Sequence, residues 1–481
     1  MRYTYLTFLT LLVITGSARA QEKWSLLKCI EYAMTNNIMV KQTDLQTKLA
    51  ELTLKQSKLG QLPNLNFSAG PSLNSGRTQN PTTYSLSTQS YLSGNVQLQS
   101  SADIFNWFSQ KNTIAANEWE LQATKARTDK LKNDIALSVA NLYLQILLGM
   151  EQEKVAGIQL QQSQAQLSNT RKLVDAGALP ELNAAELEAQ VARDSSTVIT
   201  AKGAVIQNTL SLKAYMAIDA AAPFEIETPP VDKIFVEKIA DLQPEAVYAL
   251  ALTNMPQQRY NDLKIKAAQK TSEALRGNLY PTVSLFGSLR SGYAQYFNVP
   301  NYKQVPNGTA PTGYTVTVSG VPYNVVGPSY LEQKDGNIKP DAFFSQLNQN
   351  FSQSIGLSIS VPIFNGYSVR TNYLKSKINI RNQQLQKELD DQTLKQDIYQ
   401  AYNAAMIALE KYNAGKKAVE TAERTLNYAT KRYEVGMMST FELITNQNNL
   451  FRVKLENALN QYDYVFKMKV LEFYKGQGLK F

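Results

Sequence analysis

An internal duplication constrains the fold of this chain more than any other feature of its sequence. At an offset of 218 residues, Ala33 falls on Ala251, and the match continues without a gap until Pro63 falls on Pro281. Self-similarity over such a distance indicates one structural plan used twice. A fold for this chain must therefore accommodate two copies of the same order of elements.

A second offset locates the length difference between the copies. At 259 residues, the segment 104–106 falls on 363–365 and Tyr143 falls on Tyr402. This match continues without a gap until Gly177 falls on Gly436. The offset changes by 259 − 218 = 41 residues, so the extra length lies between Pro281 and Ile363. We expect it to form a long surface loop at 293–340, which is rich in Gly, Pro, Asn and Tyr.

The helical periodicity at the start of each copy predicts one helix of roughly 35 residues, at about 25–59 and about 244–277. Two segments with strict alternation of apolar and polar residues follow in each copy. Alternation with period two predicts strands with one apolar and one polar face. The expected strands lie at about 64–73, 95–105, 282–292 and 354–364.

After the second strand of each copy the pattern becomes helical for about 70 residues, without proline. These runs end at Gly177 and Gly436, and glycine favours the left-handed conformation that ends a helix. Shorter helices then return, which predicts helical hairpins at 106–218 and 365–475 with their tips at the two glycines. At 1.5 Å per residue the long arms would measure roughly 100 Å.

The returning helices have the spacing of a coiled-coil seam. The predicted seam in the second copy has a 3-4-3-4 rhythm: Phe441, Ile444, Asn448, Phe451, Leu455, Ala458, Tyr462 and Val465. The equivalent positions of the first copy are Leu182, Ala185, Ala189, Ala192, Ser196 and Ile199. An ordinary bundle core is the alternative interpretation.

The N-terminus has the pattern of a secretory signal peptide. A basic residue, a short apolar run and Ala18-Arg19-Ala20 predict cleavage after Ala20. The predicted domains are then a first repeat at 21–219, a proline-rich connector at 220–243, a second repeat at 244–475 and a flexible tail at 476–481.

The composition excludes several kinds of site. The chain contains no histidine and one cysteine, Cys29, so we expect no disulfide within the chain, no metal centre and no cofactor. Its formal charge is +9, but the basic residues are mixed with acidic ones, which argues against a nucleic-acid partner. A hydrolase is disfavoured because no Ser-His or Cys-His pair exists.

Strands of about ten residues with alternating faces match strands that cross an outer membrane. Four strands cannot close a barrel alone, and open edges are not tolerated in lipid, so several chains must contribute. Two chains would give a barrel nearly filled by side chains, whereas three would leave an aqueous lumen. A soluble β-layer beneath a helical bundle is the alternative.

The two hairpin tips carry a resemblance to a known family. The segments 174–179, Val-Asp-Ala-Gly-Ala-Leu, and 432–439, Arg-Tyr-Glu-Val-Gly-Met-Met-Ser, occupy equivalent places in the duplicated plan. With that plan they make the whole mature chain resemble the TolC-type outer membrane efflux proteins. The resemblance implies an α+β membrane protein: a homotrimer with a twelve-stranded β-barrel, four strands from each chain, continued by a periplasmic α-helical coiled-coil barrel.

The resemblance also implies a function and partners. The chain would be the outer-membrane exit duct of a tripartite efflux or type I secretion system in a Gram-negative bacterium. It would be passive, linked by a periplasmic adaptor to an inner-membrane transporter of the RND or ABC type. The implied adaptor-docking residues are Ala176, Gly177, Leu179, Val435, Gly436 and Met437. A periplasmic coiled-coil scaffold without a pore is the alternative.

The resemblance further implies a periplasmic constriction near the second tip, formed by Tyr433, Met438, Glu442 and Thr445. Tyr433 matches a gate tyrosine of the family, and Glu442 matches the first of two acidic positions. Met438 and Thr445 depart from the pattern, since relatives frequently have arginine and an acid there. We therefore expect one ring of Glu442 carboxylates, which would favour cations; a solvated helix-face role for Glu442 is the alternative.

Overall fold

A computed structural model gives the fold for residues 23–79, 86–228, 236–297, 300–337 and 339–477. The predicted signal peptide lies outside these residues. The chain forms two compact units. One is helical and consists of the described residues of Met1–Lys55, Thr113–Ser272 and Leu374–Phe481, and the other comprises Gln56–Asn112 and Glu273–Tyr373.

Each copy begins with two helices rather than one. In the first copy these are α1 (Leu26–Asn36) and α2 (Ile38–Leu59). The continuous helix expected at 25–59 is wrong because Asn37 is extended, with ψ of 134°. Its side-chain amide donates to the Tyr215 carbonyl (2.7 Å), and its Oδ1 accepts from the Met39 amide (2.8 Å), so it both breaks and restarts the helix.

The second copy repeats the break, with α5 (Pro244–Asn254) and α6 (Pro256–Gly277) separated by Met255. The continuous helix expected at 244–277 is therefore also wrong. Pro256 has no backbone N–H and restricts the preceding residue to extended conformations, so the break was visible in the sequence.

Two long helical hairpins follow the strands. The first joins α3 (Ser109–Asp175) to α4 (Glu181–Tyr215), and the second joins α8 (Ser368–Glu434) to α9 (Thr440–Glu472). The long arms are 67 residues each, roughly 100 Å at 1.5 Å per residue. No helix in the described part of the chain combines the length and apolarity needed to cross a bilayer.

Four strands form one antiparallel sheet, longer in three cases than the alternation predicted. They are β1 (Asn64–Gln79), β2 (Leu86–Phe105), β3 (Thr282–Phe297) and β6 (Ser352–Ser360), in the order β1-β2-β3-β6. The fourth strand ends at Ser360, although it was expected to reach 364.

The long loop expected at 293–340 is wrong. Residues 293–297 extend β3, and β4 (Pro300–Val318) pairs with β5 (Val321–Asn337) in a separate two-stranded sheet, followed by α7 (Phe343–Gln349). A two-residue turn joins β4 to β5, with positive φ at Ser319 (54°) and Gly320 (84°). Positive φ at both positions matches the twist of a hairpin, so the glycine belongs to a β-turn rather than to a loop.

The duplication extends to the buried cores of the helical unit. The first core contains Ala33 and Val139, and the second contains their equivalents Ala251 and Ile398. Cys29 is fully buried in the first core, and burial raises the pKa of its thiol to about 12. The thiol is therefore protonated and unreactive at neutral pH.

The connector, which we expected to have short structure of its own, contacts the start of the chain. Trp24 forms a parallel bridge with Ile226, and the Tyr143 hydroxyl lies within hydrogen-bonding distance of the Trp24 (3.1 Å) and Glu227 carbonyls. Burial raises the pKa of the Tyr143 phenol. At the other end, Phe473–Gln477 form a π-helical turn, so the flexible tail predicted from 476 begins too early; residues 478–481 lie outside the described part.

Candidate functional site

The tips of both hairpins have the same backbone geometry. At the first, the Ala178 amide donates to the Leu173 carbonyl (2.8 Å) and the Gly177 amide to the Val174 carbonyl (2.8 Å), with φ of 74° at Gly177. This pair of bonds is a Schellman motif, which satisfies the last carbonyls of a helix.

The second tip repeats the motif. The Met437 amide donates to the Arg432 carbonyl (2.8 Å), and the Gly436 amide donates to the Tyr433 carbonyl (2.9 Å), with φ of 73° at Gly436. Each predicted docking set therefore lies on one tight turn. Neither glycine could be replaced by an ordinary residue without strain at a positive φ.

The tip side chains are exposed and partly apolar. Val435 and Met437 are 68% and 71% exposed, and Ala176 is also exposed, whereas Leu179 is half-buried. Apolar side chains at the end of a long hairpin gain no burial within their own chain. Such a surface is typical of a contact site for another protein.

The first tip is braced by ion pairs between its two arms. The Arg171 guanidinium contacts the Glu181 and Glu188 carboxylates, the latter at 2.7 Å. A shallow cleft of about 430 Å³ opens beside them, lined by Gln164, Leu167, Ser168, Arg171, Lys172, Asp175 and Glu188. Sequence reasoning missed Arg171 because its partners lie on the other arm.

The second tip is held by a capping box. The Ser439 hydroxyl accepts from the Glu442 amide (3.2 Å), and Glu442 Oε2 accepts from the Ser439 amide (2.9 Å). Sequence reasoning missed this role, although Ser439-Thr440-Phe441-Glu442 has the S-x-x-E pattern that predicts it. Glu442 is therefore engaged in the cap of its own helix, and its side chain is exposed in the single chain.

The other predicted constriction residues surround the same turn. Tyr433 and Met438 are half-buried on its two sides. The Thr445 hydroxyl donates to the Phe441 carbonyl (2.8 Å), so it is satisfied within its helix. The single chain thus brings Tyr433, Met438 and Glu442 to one tip.

The capping box predicts an acid-sensitive second tip. Hydrogen bonds from Ser439 hold the pKa of the Glu442 carboxyl below its usual range. The box therefore stabilises the tip above the unfolded pKa of about 4.3, and this contribution is lost as pH falls through the lower folded value. We expect the backbone amides in the first turn of α9 to lose protection from hydrogen exchange as the pH falls below about 4.3.

The first tip provides an internal control, since Pro180 precedes α4 without a side-chain cap. The Ser439→Ala variant should remove the acid dependence at the second tip. Equal acid dependence at both tips in the unmodified protein would contradict this assignment.

Two strands followed by a long helical hairpin, repeated twice, are the plan expected of a channel-forming envelope protein. The sequence profile of the outer membrane efflux proteins matches residues 29–217 and 337–476. The chain belongs to this family, as its tip motifs predicted. It is an outer-membrane exit duct for efflux, in a family of channel proteins.

Individual relatives match over nearly the whole chain. The outer membrane efflux protein BepC of Brucella suis is 20% identical over 94% of this chain and 85% of its own length. TolC of Salmonella enteritidis is 20% identical over 97% and 84%. In structure, the chain is similar to CusC (TM-score 0.73, 17% identity, 96% of both chains) and to the Campylobacter jejuni CmeC outer membrane channel (0.72, 16%, 95% and 87%).

Proposed function

We propose that three copies of this chain close their sheets into one twelve-stranded barrel and align their hairpins into a periplasmic tunnel. The observation that carries the proposal is the four-stranded sheet, whose edge strands β1 and β6 have no outer partner in the described part of the chain. Unpaired strand edges are costly in lipid, so a membrane-spanning sheet must be closed by further chains.

The two faces of the sheet support this arrangement. One face carries exposed apolar side chains, including Leu65, Phe67, Leu357 and Ile359. The other carries polar contacts across the strands, such as the Ser288 and Ser354 hydroxyls at 2.8 Å. An apolar exterior and a polar interior are the properties of a water-filled membrane barrel.

The helical seams supply a second line of support. Most residues of the predicted α9 seam are half-buried within the chain. Among them, Asn448 Oδ1 accepts from the side-chain amide of Gln159 on α3 (2.7 Å). The predicted seam of α4, from Leu182 to Ile199, is fully exposed, which corrects its expected place inside the first hairpin. The buried residues of α4 are instead Ala184, Leu187, Asp194 and Ala201.

The duplication indicates what covers the exposed seam. Shifted by 259 residues, Gln159 and Asn448 correspond to Ala418 and Ala189, which are both exposed. If the seams repeat around the assembly, α4 packs against α8 of a neighbouring chain with Ala189 close to Ala418. Six hairpins then alternate around the tunnel of a homotrimer.

A cysteine pair tests the proposed assembly. The double variant Ala189→Cys/Ala418→Cys is expected to form disulfides between chains and to give covalent trimers on denaturing gels. The pair Ala189→Cys/Lys411→Cys, displaced by two helical turns, is the matched control. A monomeric protein, or one without single-channel conductance in planar bilayers, would contradict the duct and favour the pore-free periplasmic scaffold.

In this assembly the tips at Gly177 and Gly436 dock a periplasmic adaptor, which connects the duct to an inner-membrane transporter of the RND or ABC type. The exposed tip residues Val435 and Met437 support this role. The duct conducts passively, and the same architecture serves small molecules or the substrates of type I secretion.

We expect Glu442→Gln to lower the cation selectivity of the trimer in planar bilayers, because it removes three carboxylates from the proposed constriction. Glutamine also accepts a hydrogen bond from the helix cap, so the capping box survives and the change isolates the charge. Glu186→Gln, at the first-copy position equivalent to Thr445, is the control. Unchanged selectivity in Glu442→Gln would rule out the carboxylate ring.

A further inference from the structure

The β4–β5 hairpin is an insertion with no counterpart in the first copy. It connects β3 to β6. Thr282 starts β3 and Ser360 ends β6, and these two residues pair at one end of the sheet. The hairpin lies at the opposite end of these strands. The family profile, which ends at 217 and resumes at 337, does not cover it. The same gap also contains α5, α6 and β3, but the first copy completes its two strands without such a hairpin, so the repeated plan does not explain this segment.

The end of the hairpin is amphipathic over the last four residue pairs before the turn. Val316 pairs with Tyr323 and Val318 with Val321, while Thr315 pairs with Asn324 and Thr317 with Pro322. Alternate pairs lie on opposite sides of the ribbon. We define the apolar face of the hairpin as Val316, Val318, Val321 and Tyr323, whose side chains are 50–58% exposed.

The hairpin also lacks charge. Residues 304–331 contain no Asp, Glu, Lys or Arg, although Lys303 and Glu332 flank them directly. An isolated two-stranded ribbon is marginally stable in water, and an exposed apolar face with free strand edges invites association. An uncharged surface suits a copy of itself, because no like charges meet across the contact.

We propose that the apolar faces of the three hairpins pack against each other and form a cap over the external mouth of the duct. This inference rests on the proposed trimer, which brings three identical hairpins to the same end of one barrel. Because the barrel already tethers them, their local concentration is high and a small apolar contact suffices. Thr315, Thr317 and Asn324 then face water.

Single cysteines on the two faces test the cap in the full-length protein. Val316→Cys is expected to give covalent dimers and trimers with a short bismaleimide. Its neighbour Thr315→Cys, on the polar face of the same strand, should give few. The parent protein supplies the background, because Cys29 is fully buried.

A second test measures the single-channel conductance of a variant without the hairpin. Replacing residues 304–331 by a short turn is expected to raise single-channel conductance while the trimer mass is retained. Equal crosslinking from both faces, or unchanged conductance, would overturn the cap. Quenching of a fluorophore at Val316→Cys by spin-labelled lipid would also overturn it and place the face in the bilayer. If the parent protein is not a conducting trimer, the proposed duct fails; if it is, the outcomes above bear on the cap alone.

Discussion

Replacing Tyr143 by alanine is expected to destabilise the helical unit by about 3–5 kcal/mol, the range for truncating a large buried aromatic. Tyr143 is 2% exposed in the first core, and its hydroxyl joins the Trp24 and Glu227 carbonyls. The variant would leave a cavity and remove the hydroxyl donor from the Glu227 carbonyl, whereas the Trp24 carbonyl still accepts from the Glu227 amide (2.9 Å). Denaturant unfolding of the purified full-length protein, followed by circular dichroism, measures the loss.

The duplication provides a matched control for this prediction. Tyr402 is the equivalent residue of the second copy, but it is half-buried, and its hydroxyl contacts the Gln243 amide at 3.5 Å. Tyr143→Phe should cost about 0.5–1.5 kcal/mol through the lost hydrogen bond to the Glu227 carbonyl. Tyr402→Phe should stay within about 0.5 kcal/mol. Equal effects would contradict the bracing role assigned to Tyr143.

Gly436→Val is expected to abolish efflux by the assembled system. Gly436 has φ of 73°, and a Cβ there would meet nothing within 4 Å, so the penalty is conformational rather than steric. Holding valine in this region costs about 1–3 kcal/mol, and the turn should relax to another shape and displace Val435 and Met437. Susceptibility to an efflux substrate, in a strain whose only copy is the variant, measures the effect.

Two substitutions separate backbone conformation from bulk. Asparagine tolerates the left-handed region, so Gly436→Asn should retain much of the function. Gly157→Val lies inside α3, where a Cβ also meets nothing within 4 Å but φ is not positive, and efflux should persist. If Gly436→Asn and Gly436→Val were equally inactive, the conformational explanation would be wrong.

Features set by local periodicity or by the duplication could be predicted from the sequence. The sheet strands follow from alternation, and both tips follow from a glycine at equivalent ends of two long helical runs. The family follows from the same tip motifs. In each case the signal lies within one segment and recurs in the other copy.

The misses have two physical origins. Some signals were local but were outweighed: Pro256 marked a helix break, Ser439 and Glu442 formed a capping pattern, and Ser319-Gly320 formed a hairpin turn within a Gly- and Pro-rich stretch. Others depend on distant residues. Arg171 and Tyr143 act through partners on other elements, and the face of α4 that packs inside its hairpin depends on α3.

The strand-to-helix corners have a consequence for how length can vary in this chain. Trp107, Phe108 and Tyr367 hold positive φ values of 50–61° where the chain leaves β2 and passes beyond β6. One added residue there would turn every later position of a 67-residue helix by about 100° and shift its whole pattern of contacts. Insertions and deletions should therefore be rare between sheet and tip in descendants of this gene. They should be common in the β4–β5 hairpin, because β6 separates it from the next long helix and fixes where that helix begins.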